Sequence, residues 1–305
     1  MSNPSNPGIY GTPPPALAPS LSDAIQFSPL VPGSLALEAQ GEATLPQMVM
    51  LAPPGTVERR YAMALSLRAM APGASLTIMA PNDKGGTRIA KELAAFGCAV
   101  ASASRRHYRI CTTAKPKAAS GVAEAIADGA PRLVPEVGLW SQPGIFNWDR
   151  IDPGSALLLE QLPALAGKGA DFGCGIGVLA KAALTSPAVR SLTLVDIDRR
   201  AIEAARRNVD DPRVEFRWAD LRDSAIAPGN LDFVVMNPPF HDGGAEDKAL
   251  GQSFIRRAAE ALRPGGTCWL TANRHLPYEG VMKPLFSSMT LRIEGDGYKV
   301  YETVK

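Results

Sequence analysis

The chain has 305 residues, 46% apolar and 20% charged, which is material for two buried cores rather than one. Its formal net charge of +2 is too small to name a polyanionic partner, so only a local cluster such as Arg105-Arg106-His107-Tyr108-Arg109 could meet phosphate. Cys98, Cys111, Cys174 and Cys268 fall at no metal-ligand spacing, and there is neither a basic segment leading into an apolar run nor a run of about 18 apolar residues. No metal, disulfide, signal peptide or membrane span is therefore expected, and a cytoplasmic monomer fits.

Residues 1–40 carry Pro4, Pro7, Pro13, Pro14, Pro15 and Pro19, which remove backbone donors, so a largely irregular segment is predicted there. Residues 41–118 alternate apolar runs with amphipathic ones. They predict a strand over Gln47–Leu51, a helix over Val57–Ala69, a strand over Leu76–Ala80, a helix over Thr87–Phe96 and a strand over Tyr108–Thr112. Residues 119–143, rich in Ala, Gly and Pro, read as a linker with one short helix.

Residues 144–305 are more regular. Helices are predicted over Gly154–Leu162, Ile176–Leu184, Arg199–Asn208 and Glu246–Leu262. Strands are predicted ending near Asp171 and over Ser191–Val195, Val214–Trp218, Asp232–Met236, Thr267–Thr271, Met289–Glu294 and Lys299–Thr303. This alternation predicts an α/β fold with a doubly wound, mainly parallel, seven-stranded Rossmann-like sheet. The last two strands, with no helix between them, predict an antiparallel hairpin at its edge.

The two halves share a pattern. MVMLAPPG from Met48 resembles FVVMNPPF from Phe233. AMAPGASLTIMA from Ala69 matches ALRPGGTCWLTA from Ala261, and HYRICTTAK from His107 matches GYKVYETVK from Gly297. The three matches keep their order at nearly constant spacing, so residues 41–118 read as a smaller, degenerate α/β domain of related topology. Ala52 and Gly55 stand where Asn237 and Phe240 stand, and a counterpart of the loop at Asp171 would fall before the first residue. The copy is expected to be inactive.

The strongest chemical signal is DFGCGIG, Asp171 to Gly177, between a strand and a helix. Gly173, Gly175 and Gly177 let the backbone turn tightly and approach a ligand. The spacing differs from G-x-G-x-x-G, which disfavours a dinucleotide site. The acid that opens the motif would repel pyrophosphate and suits an ammonium. Asp196 ends the next strand, in LTLVDID, where a carboxylate can accept from both hydroxyls of a ribose. Asp198 is the near alternative but fits a helix N-cap better. Asp220, after the third strand, could accept from an adenine amino group or simply cap a turn.

NPPF, Asn237 to Phe240, follows the fourth strand, at the sheet edge where open α/β folds bind ligands. Two prolines stiffen the loop. The Asn237 side-chain oxygen and the Pro238 carbonyl then form converging acceptors for a planar NH2, and Phe240 offers a face for stacking.

The Gly-rich loop, acidic strand end and NPPF, in that order, resemble the class I methyltransferases. NPPFHDGG, TANRHLPY, GYKVYETVK and GIFNWDRIDPGSALLLEQLP are similar to segments of the two-domain ribosomal RNA guanine-N2 methyltransferases of the RsmC and RlmG type. The resemblance implies S-adenosyl-L-methionine held by Asp171, Gly173, Gly175, Gly177, Asp196 and Asp220, with Asn237 at the same site. It also implies catalysis by Asn237, Pro238 and Phe240 on a guanine N2 of ribosomal RNA, and it makes RNA the expected partner. Protein glutamine or nucleic-acid adenine N-methylation stays open on the same motif, as does a non-catalytic RNA-binding or assembly role.

Overall fold

A computed structural model describes residues 6–223, 228–239, 241–242, 245–246 and 248–305, of which 241–242, 245–246 and 248 are described by backbone alone. The chain divides into two compact units, one up to Ala130 and the other from Pro131.

The first unit is built on strands β1 (Gly8–Tyr10), β2 (Ile25–Gln26), β3 (Leu45–Leu51), β4 (Met70–Pro81), β5 (Ala101–Arg105) and β6 (Tyr108–Ala114). Helix α1 (Thr56–Ala69) joins β3 to β4, α2 (Ile89–Ala95) precedes β5, and α3 (Val122–Gly129) closes the unit. The sheet order is β2-β1-β3-β4-β6-β5. Its parallel part is covered by α1, which buries Tyr61, Met63, Leu65 and Leu67 in a core shared with Met48, Met50, Leu76 and Ile78.

The second unit opens with a hairpin, β7 (Arg132–Val134) and β8 (Leu139–Ser141), and helix α4 (Pro153–Gln161). Then come β9 (Gly167–Phe172), α5 (Val178–Ala183), β10 (Val189–Asp196), α6 (Arg199–Asn208), β11 (Val214–Trp218) and β12 (Leu231–Met236). After the short pair β13 (His241–Asp242) and β14 (Ala245–Glu246) follow α7 (Lys248–Ala261), β15 (Leu262–Asn273), α8 (Glu279–Met282), β16 (Ser288–Gly295) and β17 (Tyr298–Val304). The seven strands lie in the order β11-β10-β9-β12-β15-β17-β16. All neighbours up to β15 are parallel, while β17 pairs antiparallel to both β15 and β16. This is the sheet expected from the sequence, including the late hairpin.

The sheet orders also carry the internal repeat. In the first unit β2-β1-β3-β4-β6-β5 follows the same path as β10-β9-β12-β15-β17-β16 in the second. Each copy has an irregularity early in the corresponding ladder, after which the registers differ by one residue: Met48 faces Leu76, whereas its counterpart Phe233 faces Thr267, the counterpart of Ser75. Two expectations change here. Residues 1–40 are not wholly irregular, because Gly8-Ile9-Tyr10 contains no proline and pairs between β2 and β3. The first copy also keeps a counterpart of β9, namely β1. Its connection to β3 is shorter, so matching at fixed spacing runs past the start of the chain. After β1 the sequence is Gly11-Thr12-Pro13-Pro14-Pro15 instead of a run of glycines. Within residues 119–143, α3 belongs to the first unit, where Gly129 leaves room for the Tyr61 ring, and β7–β8 belong to the second.

The loop after β3 is organised by Arg59, which is fully buried. Its Nε and Nη2 donate to the two oxygens of Glu92, both at 2.7 Å. Nη1 donates to the carbonyls of Pro53 at 3.1 Å and Pro54 at 2.7 Å. Gly85, at φ +88°, has no room for a Cβ, which would stand 2.3 Å from Nη1. Breaking a buried pair strands the surviving charge, a loss of about 3–5 kcal/mol. Glu92→Ala should therefore destabilise the first unit by that amount in urea titration, and joint replacement, Arg59→Met with Glu92→Leu, should recover most of it.

Candidate active site

Strand order reverses between β9 and β12, which pair in parallel with Phe172 beside Met236. The two chains leave the sheet side by side at their carboxyl ends, the position where open α/β sheets bind ligands. The Gly-rich loop leaves β9 and the Asn237-Pro238-Pro239 loop leaves β12. They approach closely: a Cβ on Gly173 would stand 4.0 Å from the Asn237 carbonyl oxygen and 3.3 Å from the Phe254 ring. Gly173, Gly175 and Gly177 have φ of +73°, +51° and +90°, a region that side chains rarely adopt. A Cβ on Gly177 would meet Val209 of the core at 2.8 Å, whereas at Gly175 the space is open. The first two glycines thus shape a cradle, and the third packs the loop down.

The carboxylates fall into three settings. Asp171 is fully buried, and its oxygens make no well-formed hydrogen bond, the Ala180 backbone amide being the donor that faces it. Burial, and next the charge of Asp196, push its carboxyl up to about 8. Asp196 is tethered by two backbone amides, Gly175 N–H to Oδ2 and Asp198 N–H to Oδ1, both at 2.8 Å. Burial still raises it to about 6. These two bonds fix its oxygens at the mouth of the loop with lone pairs to spare. Asp198 caps α6, accepting from Arg200 N–H at 2.9 Å, as expected. Asp220 instead forms a local turn: the backbone N–H of Arg222 donates to it at 2.9 Å, and the guanidinium grips both its oxygens. Nearby, Trp218 Nε1 donates to the Ile197 carbonyl at 2.8 Å, closing the flank beyond Asp196.

Asn237 is held by residues that motif reading did not single out. Its Nδ2 donates to Asp152 Oδ2 at 2.8 Å and to Ser155 Oγ at 2.9 Å. Asp152 caps α4, accepting from Ser155 N–H at 2.9 Å, and Pro153 occupies the first turn. Its other oxygen accepts from Asn147 Nδ2 at 2.8 Å and from the Tyr298 hydroxyl at 3.5 Å. Gly154 is required because a Cβ there would stand 2.5 Å from the Tyr298 ring. The signals in the sequence were the run Asp152-Pro153-Gly154-Ser155, which reads as a helix start, and the family-like segment GIFNWDRIDPGSALLLEQLP that contains it. That its cap also reaches a residue 85 positions away is a product of the fold. Phe240 lies outside the described residues.

An unpaired buried carboxylate, a cradle of left-handed glycines and a tethered acid at the strand end together fit a cationic nucleoside ligand. A bound cation would favour the ionised form of Asp171, which, being enclosed, would then act through its field and not by contact. No group of His, Cys, Asp and Glu among the described residues could hold a metal ion.

This sheet order, with these two loops meeting at its switch point, defines an α/β methyltransferase, and residues 136–302 match the family model of the methyltransferase small domain. The chain belongs to the family of ribosomal RNA small subunit methyltransferase C. It is similar to the member from Pseudomonas aeruginosa (strain LESB58), 35% identical over 246 residues, spanning 77% of this chain and 72% of that protein. It is also similar to the member from Pseudomonas entomophila (strain L48), 31% identical over 250 residues and spanning 79% and 74%. Among solved structures, the T. thermophilus 16S rRNA N2 G1207 methyltransferase (RsmC), in complex with AdoMet and guanosine, matches with a TM-score of 0.79. That match covers 98% of this chain and 88% of that one, at 22% identity, and shows a common fold.

An unfolded aspartate titrates near 3.8. Because Asp171 in the folded chain titrates near 8, the folded state holds the extra proton between about pH 4 and 8. The contribution is fully present below that window and is lost as pH rises through it. Without ligand, wild-type protein should therefore lose thermal stability from pH 5 to pH 8 relative to Asp171→Asn, which is neutral throughout. Parallel melting curves for the two proteins would count against this titration.

Proposed function

We propose that this chain transfers a methyl group from S-adenosyl-L-methionine to N2 of a guanine in small-subunit ribosomal RNA. The observation that carries the reading is the meeting of the Gly173 turn with Asn237 at the β9–β12 switch point. It puts a nucleoside cradle and a polar grip on a planar amine within one site. The names of the relatives, all small-subunit ribosomal RNA methyltransferases, supply the substrate class.

When bound, S-adenosyl-L-methionine supplies a methyl on a sulfonium, already activated for transfer. Asp196 would accept from its ribose hydroxyls, Gly173, Gly175 and Gly177 would line its methionine end, and Asp171 would offset its positive charge from beneath. Asp220, tied to Arg222, would reach an adenine amino group only with a lone pair the guanidinium leaves free. Asn237 Oδ1 and the Pro238 carbonyl would accept from the target amine, leaving its nitrogen lone pair pointed away from both. Phe240 would stack on the base. The protein's contribution is orientation, which can lower a barrier by up to about 7–11 kcal/mol.

Two experiments test the reading. Ribosomal RNA from a deletion strain should lack one N2-methylguanosine that wild-type protein restores. Asn237→Ala should keep cofactor affinity but lose about 2.7–4 kcal/mol of transition-state stabilisation, as when one preorganised polar contact is removed. Near-normal turnover in that variant would place the target amine elsewhere.

The first unit contributes RNA affinity and binds no cofactor in this reading. Residues 101–107, strand β5 and the turn into β6, are exposed throughout, and Arg106 and His107 form the hairpin tip with φ of +49° and +65°. Arg105 and Arg106 extend from it as a basic finger. Replacing Arg105, Arg106 and Arg109 with Ala should weaken RNA binding and flatten its salt dependence, with cofactor affinity unchanged. An unchanged salt slope would assign these arginines to the hairpin alone.

A further inference from the structure

We propose that Asp152, assisted by Ser155, is the positioning residue that fixes which end of the Asn237 amide faces the substrate, so that the site takes only a hydrogen-bond-donating nitrogen. This rests on the reading that Asn237 grips the target amine.

An ionised carboxylate accepts hydrogen bonds and cannot donate them, whereas a side-chain amide does one at each end. The Asn237 amide lies against Asp152 Oδ2 at 2.8 Å. Only its NH2 end can face that oxygen, because the reverse orientation would set two acceptors against each other. Its second N–H is taken by Ser155 Oγ at 2.9 Å. Both amide protons are therefore spent inside the protein, and no described residue donates to Oδ1. The end presented outward is an acceptor only. A ring nitrogen or carbonyl offered to it is repelled, and an amine is held.

Asp152 is itself immobilised. It is buried, caps α4 through Ser155 N–H, and accepts from Asn147 and Tyr298 on its other oxygen. Its four donors come from the loop before α4, from α4 itself, from the end of β12 and from β17. The amide is thereby locked before substrate arrives, so its orientation requires no rearrangement during the reaction.

Asp152→Asn tests this directly. Asn is as good an N-cap as Asp, so a role limited to starting α4 predicts no change in activity. The cap on α4 and the bond to Asn237 share Oδ2, so an amide keeps both only by turning its NH2 onto the donors Asn147 and Tyr298, and in the reverse orientation it sets a donor against Asn237; either way the lock is released. Turnover should fall about 10²-fold, the scale of a small misplacement at a reacting centre, in a protein that remains folded, with cofactor affinity and KM for RNA close to wild type. Wild-type turnover in a folded D152N protein overturns the proposal.

A second measurement needs no substrate. The side-chain amide protons of Asn237, identified in NMR spectra by their loss in Asn237→Asp, should exchange slowly with water in wild type and rapidly in D152N. Equal exchange overturns the positioning role. Failure of wild type to methylate guanine N2 would overturn the substrate reading and leave this measurement to judge Asp152 by itself.

Discussion

The site depends on one pairing in the sheet: β9 lies beside β12 although four elements separate them in the chain. Strands added in sequence order travel outward from β9 to β11, and the chain must then return to the other side of β9. Two connections diverge at that point, so the space above the strand ends is not filled by a crossover helix. A glycine turn from one strand and a stiff Asn-Pro-Pro turn from the other border the gap. Every functional geometry described above, from the tether on Asp196 to the grip on Asn237, is measured from those two strand ends.

Much of this was legible in the sequence because it is local. Strand and helix periodicity gave the seven strands, their mainly parallel sheet and its final hairpin, but not their order. Glycines at Gly173, Gly175 and Gly177, and an acid at the end of LTLVD, are chemistry written at short range. Asp198 could be read as a cap because a cap is defined by the next few residues. Asp152 could be read only halfway. Its bond to Ser155 is local, but its bond to Asn237 joins segments that meet only after the sheet has closed. For the same reason β1 and β2 were hidden. Strands of three and two residues carry no periodicity, and their place is set by the neighbour that pairs with them.

The two units carry different loops on one path of the chain. Six strands run in the same relative order in both, each with an irregularity in the corresponding ladder. Backbone pairing tolerates nearly any side chain that keeps a buried face apolar, so the path of the chain persists. The loops answer to different demands. In the second unit they hold an unpaired carboxylate and glycines of left-handed conformation, both of which cost stability. At the matching strand ends the first unit keeps only one such glycine, Gly11 at φ +75° after β1, and no buried carboxylate.

The Arg59–Glu92 fork fixes the first unit's counterpart of the Asn-Pro-Pro turn. Its guanidinium binds the two proline carbonyls of the loop after β3, and the Gly85 turn closes on its far side. The loop is therefore part of the interior, and the fold of the unit leans on it. Changing Ala52 and Gly55 alone would not free it, since the arginine cannot leave without unseating its carboxylate and its loop. Opening it would require coordinated change across α1, α2 and two turns, so the arrangement works as a latch on the first unit.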